Sequence, residues 1–214
     1  MKMKNALALI GVSTFLLASC VGNPEGERAA TTDAVETSTV ADGITLALDT
    51  SASQVVWHAN KVSAEHFGEV NLTSGAINVS SEGKITGGSF IVDMTSIDVQ
   101  DSEGASRDRL TGHLKNEDFF DVEKYPTANF EITSVSEGAT ANDLVIAGNL
   151  TMHGVTKNIT FNAKVTESTP ASVVADADFN VAREDWGVNY QGKADDLISK
   201  EFNLKIKIVA KNQA

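Results

Sequence analysis

The side chains of this sequence best suited to chemistry are four histidines, one cysteine and one close pair of opposite charges. His58, His66, His113 and His153 fall in separate segments, without the short His or Cys spacing that gathers ligands around a metal. No metal site is expected. Arg183 and Asp185, in "AREDWG", sit two apart at a strand junction and read as a structural ion pair rather than an acid/base couple. There is no Gly-x-Ser-x-Gly elbow, and no Gly-rich phosphate loop precedes a helix. Neither catalysis nor a cofactor is expected. What remains is apolar. "HLKNEDFFDVEKYP", residues 113–126, sets Phe119 and Phe120 among acids, amides and a lysine, a placement that suggests contact with something buried.

The cysteine has its own explanation. The chain begins with Lys2 and Lys4, an apolar run from Ala6 to Ala18, then Ser19 and Cys20, the pattern of a secretory signal. The run is too short for a comfortable membrane span. Leu17-Ala18-Ser19-Cys20 resembles the bacterial lipobox, which implies a lipoprotein signal peptide over 1–19 and an acylated Cys20 as anchor. Val21 follows where an Asp would favour the inner membrane, so the expected location is the outer membrane, facing the periplasm. From residue 20 to 42 the chain is rich in Thr, Glu, Ala, Gly and Ser without apolar period and reads as a flexible tether. Residues 43–214 make one domain. Loss of Lys2 and Lys4 takes the formal charge from −12 to −14, so nucleic acid is not expected as a partner.

The elements that would position any binding residues are strands. "EFNLKIKIV" places Phe202, Leu204, Ile206 and Ile208 on one face, and "NDLVIAGNLTM" does the same with Leu144, Ile146, Gly148, Leu150 and Met152. "VTKNITFNAKV", "VVADADFNV" and "ANFEI" continue the alternation, and "ITLAL", "QVVWHAN", "FGEVNL", "GAINVS" and "GKITGGSFIVD" lie upstream. Ten short strands with polar outer faces favour a closed barrel over a sandwich.

"SRDRLTGHLKNEDFF" breaks the alternation. Ser106 is expected to cap a short helix carrying Leu110 and Leu114, and Asn116 to open a second turn whose acids Glu117 and Asp118 precede the two phenylalanines. Pro126 ends the segment.

Three ordered blocks then resemble the YceI-like family of exported polyisoprenoid-binding proteins. They are Arg107-Asp108 through Asp118-Phe119-Phe120-Asp121, Tyr125-Pro126 and Phe130; "GNLTMHGVTKNITF"; and "FNVAREDWGV". The resemblance implies an all-β, lipocalin-like antiparallel β-barrel with a short helical segment near residues 106–121 and an apolar tunnel. Trp57, Phe90, Phe119, Phe120, Phe130, Leu150, Met152, Phe179 and Trp186 are expected to line it. Ala59, Gly148, Ala163, Ala175 and Ala177, on the inward parity, are too small to fill the axis. The implied partner is an isoprenoid-type lipid such as a quinone or polyprenol, held by a carrier rather than turned over; an enzyme acting on such a lipid is the alternative. A homodimer is left open.

Overall fold

A computed structural model describes residues 21–37 and 43–212; the signal segment and Cys20 lie outside the described residues. Antiparallel strands dominate: β1 (Glu27–Arg28), β2 (Ala30–Asp33), β3 (Ile44–Leu48), β4 (Gln54–Lys61), β5 (Ala64–Val79), β6 (Ile85–Val99), β7 (Thr127–Glu137), β8 (Asp143–Met152), β9 (Val155–Ser168), β10 (Ser172–Ala182), β11 (Gly192–Lys193) and β12 (Asp196–Lys211). One helix, α1 (Gly104–Lys115), joins β6 to β7, and a 3-10 turn (Arg183–Trp186) follows β10.

Hydrogen bonds run from β4 through β5, β6, β7, β8, β9 and β10 to β12 and back to β4, closing an eight-stranded lipocalin-like barrel. Closure follows from the alternation, because every strand has an apolar face to bury and no edge is left unpaired. β3 shares the β4 slot: it pairs with the far ends of β5 and β12, at Val79 to Ala76 and at Ala210 and Lys211. Between them the chain turns on Asp49, whose carboxylate accepts the Ser51 and Ala52 amides at 3.2 Å. "FGEVNL" and "GAINVS" are halves of the one long β5, which carries register shifts beyond Glu69 and Leu72 that let it coil around the barrel.

The residues of α1, of the β4–β5 turn and of the 3-10 turn gather at one end, called here the upper end. The β5–β6, β7–β8 and β9–β10 turns lie at the lower end. His153 and Gly154, both at positive φ, make a two-residue hairpin turn at the upper end.

Three local expectations are corrected. α1 starts one turn early, with Glu103 as N-cap and no side-chain capping bond, so Ser106 lies inside the helix. Asn116 ends α1 and opens a turn, not a second helix, its Oδ1 accepting the Asp118 amide at 2.9 Å. The tether is not free over its central part: β1 runs parallel to β10 at Phe179 and Asn180, and β2 pairs with β9 from Thr160 to Lys157. β9 and β10 pair with each other only up to Ala163 and Ala177, and the N-terminal segment fills the split beyond. Backbone pairing needs no apolar period, which is why composition alone reads this segment as loose.

Candidate functional site

The barrel interior is hollow. Leu144, Leu150, Phe130, Ile132, Leu204, Ile206 and Ile208 point inward yet are only half-buried, because the face they present meets space rather than side chains. Two lobes fill the axis. The upper has a volume of about 120 Å³ and is walled by Trp57, Met94, Ile97, Leu114, Phe119, Phe120, Met152 and Val188 among others. The lower, about 150 Å³, is walled by Phe90, Phe130, Phe161 and Phe179 with Ala163, Ala175 and Ala177. Val55, Val92, Leu150 and Leu204 line both lobes, so the two adjoin along the barrel axis and together trace a tunnel-shaped path.

β12 lines the tunnel from Ile198 to Ile208. Ten residue rises of ~3.3 Å, tilted by ~40° to the axis, make it roughly 25 Å long. Either lobe has room for water, but hardly a polar atom faces the lumen to hold it. The space suits a long apolar chain. Gly148 helps to shape it: a Cβ there would stand 2.2 Å from the Phe130 ring, so a side chain at that position would drive the ring into the lumen.

Polar groups of the upper wall are turned outward and satisfied. Arg183 is buried, not paired with Asp185; its Nε donates to the Ser199 carbonyl at 2.8 Å and its Nη1 to the Val188 carbonyl at 2.6 Å. Burial pushes its pKa down. Asp185 instead lies 3.9 Å from Arg28. One donor of this wall has no acceptor among the described residues: the indole Nε1 of Trp57, buried where the upper lobe meets the mouth.

The mouth itself is a polar groove above the upper lobe, sharing Trp57, Ala59, Leu114, Phe119 and Ile198 with it. Lys61, Arg109 and Lys193 line this groove against one carboxylate, Asp196, which accepts from Lys61 Nζ at 2.9 Å. That hydrogen bond holds the Asp196 pKa below its ordinary value. Phe119 closes the groove floor in a cluster with His113 and Tyr190, ring centres 4.9 and 5.3 Å away. Phe120 meets Phe202 edge-on across the lobe. α1 is held down by Arg107, which bonds Asp98 and depresses that carboxyl's pKa.

Eight of the nine expected lining residues therefore wall the tunnel: Trp57, Phe119, Phe120, Leu150 and Met152 around the upper lobe, and Phe90, Phe130, Phe179 and again Leu150 around the lower. Trp186 does not. It is fully buried behind the wall, where its Nε1 donates to the Leu150 carbonyl at 3.0 Å. The histidines stay apart, and among the described residues no three potential ligands gather at a metal-binding distance. His113 pairs with Asp118, and His153 Nδ1 donates to the Trp186 carbonyl across the barrel top. Lining residues not singled out from the sequence include Met94, Ile97 and Val188. Met94 and Ile97 lie on β6 beyond the end of the predicted strand, and Val188 follows the 3-10 turn.

The match that decides the family covers residues 46–210, which correspond to the YceI-like domain. The chain belongs to the YceI-like family. It is 32% identical to Protein YceI of Escherichia coli over 139 residues, 65% of this chain and 57% of that protein. It is 46% identical to a UPF0312 protein of Pseudomonas aeruginosa over 65 residues, 30% and 31% of the two chains. The chain thus aligns with rather more than half of the first relative's length and about a third of the second's. Among solved structures, Burkholderia cenocepacia BcnA superposes with a TM-score of 0.65 at 19% identity, over 77% of this chain and 99% of its own. A polyisoprenoid-binding domain from Saccharophagus degradans superposes with a TM-score of 0.58 at 14% identity, over 80% and 100%. At these identities the likeness speaks to the barrel fold.

Proposed function

We propose that this YceI-like protein is a membrane-tethered carrier that holds the chain of an isoprenoid-type lipid, such as a quinone or polyprenol, along its tunnel. The observation that carries the reading is the pair of adjoining, dry, apolar lobes strung along the barrel axis. The S. degradans domain, described as polyisoprenoid-binding, supports the ligand class. The lipid's head would sit at the upper end, where the groove offers Lys61, Arg109 and Lys193. The tail would lie among Ala163, Ala175 and Ala177 in the lower lobe.

In this reading Cys20 is acylated and holds the barrel at the periplasmic face of the outer membrane, and the protein binds its lipid without transforming it. The test is titration of the delipidated full chain with a quinone and with a polyprenol, following binding and product together. Saturation at one lipid per chain with no product supports the carrier. Steady product formation would replace it with an enzyme, and failure to saturate with any isoprenoid would remove the lipid reading altogether.

A further inference from the structure

The N-terminal segment does more than fill the split between β9 and β10. Before reaching it, the segment crosses the outer faces of β4, β12 and β10 and is fastened at each end of that crossing. The Gly22 carbonyl accepts from Asn60 Nδ2 at 3.4 Å, and the Pro24 carbonyl accepts from Asn180 Nδ2 at 2.8 Å. Gly26, at φ 138°, lies so close to the wall that a Cβ would stand 2.5 Å from Asn180 Oδ1 and 2.6 Å from Asn203 Nδ2. Pro24 and Ala29 are buried, and Arg28 reaches Glu201 at 3.5 Å. Cys20 is two residues from Gly22, a span of at most about 7 Å. Asn60 stands beside the β4–β5 turn at the upper end, on the rim of the polar groove. The described chain therefore begins beside the tunnel mouth, and an anchor two residues before Gly22 would be short.

We infer that the mouth of the tunnel rests on the bilayer, so that lipid passes between membrane and lumen without crossing water; this rests on the acylation of Cys20 proposed above. Val62, at the tip of the β4–β5 turn, is 44% exposed, and Phe67, just beyond it on β5, is 40% exposed. These are two of the four large hydrophobic residues left exposed among the described residues, and both flank the point where the anchor emerges. Charge at this face is mixed, Lys61, Arg109 and Lys193 standing with Asp196 in the groove, so the short anchor with its two apolar neighbours is what holds the mouth down.

The experiment uses the full-length acylated protein in phosphatidylcholine vesicles. Cys20 is the sole natural cysteine, so a thiol-reactive, polarity-sensitive dye reports only from an introduced site. Dye on Val62→Cys should shift to shorter wavelength and lose most of its quenching by aqueous iodide, while dye on Glu82→Cys, in the lower β5–β6 turn, stays fully quenched. Adding Gly26→Ala, which unseats the segment, should return quenching at Val62. Acylated protein in which both dyes are quenched alike, or in which the Glu82 dye is the shielded one, overturns the docking alone. A mass showing no acyl chain on Cys20 overturns the anchor and the docking together.

Discussion

Replacing Ala177 by Leu separates a hollow barrel from a packed one. Ala177 faces the lower lobe, opposite Ala163 of the neighbouring strand, and is half-buried although it lies inside the barrel. Leu adds three carbons to a lobe of about 150 Å³. In the empty protein these carbons enter existing space and should leave stability unchanged or raised, by up to about 2 kcal/mol at ~0.8 kcal/mol per buried carbon. A bound chain would be displaced by the same three carbons and lose about 2.4 kcal/mol, roughly fiftyfold in affinity. Urea unfolding of the delipidated protein gives the first quantity, and isoprenoid titration the second. A packed lower barrel would reverse both results: overpacking would cost about 1–3 kcal/mol of stability, and affinity would be unchanged in the protein that still folds.

Phe119→Ala should lower the urea midpoint by the equivalent of about 3 kcal/mol, because Phe119 is buried in the cluster with His113 and Tyr190; Phe120→Ala, at a half-buried site on the lobe, should cost less stability and more isoprenoid retention. Gly26→Ala should expose the N-terminal segment to limited proteolysis between residues 21 and 33 while near-ultraviolet circular dichroism of the barrel is kept. The Asp98 and Asp196 carboxyls are both held below their ordinary value of 3.8, by Arg107 and Lys61. Their contribution to folding is therefore complete above that pH and is lost only as the pH falls below it. Asp98→Asn should leave the α1 end equally labile, by amide exchange, at pH 7 and pH 3, where the parent loosens only in acid.

Much of the barrel was legible because each strand states its inward face twice per four residues. β8, β9, β10 and β12 have the inward sets read from parity, and the small residues among them mark the lower lobe. Legibility failed where contact does not depend on side-chain pattern. β1 and β2 are bound through backbone hydrogen bonds and a close approach at Gly26, and a Thr- and Glu-rich segment gives no apolar signal for either. Trp186 was misplaced for a related reason: on a 3-10 turn, strand parity no longer tells lumen from outer wall, and its polar N–H found a carbonyl behind the barrel. Arg183 two residues before Asp185 looks like an ion pair in one dimension, but the turn sends the guanidinium to two backbone carbonyls. The Trp57 donor, unpaired among the described residues, has no sequence signature at all, since an acceptor brought beside it by the fold would have removed it.

The central claim is that the tunnel holds one apolar chain. Native mass spectrometry of the full-length protein, released gently from the membranes in which it is made, tests this most directly. The account predicts a single adduct at one per chain, which on extraction proves to be an isoprenoid and which is reduced or lost in Ala177→Leu. Protein that flies with its barrel intact but without an adduct, and that takes up none when an isoprenoid is supplied, would contradict it.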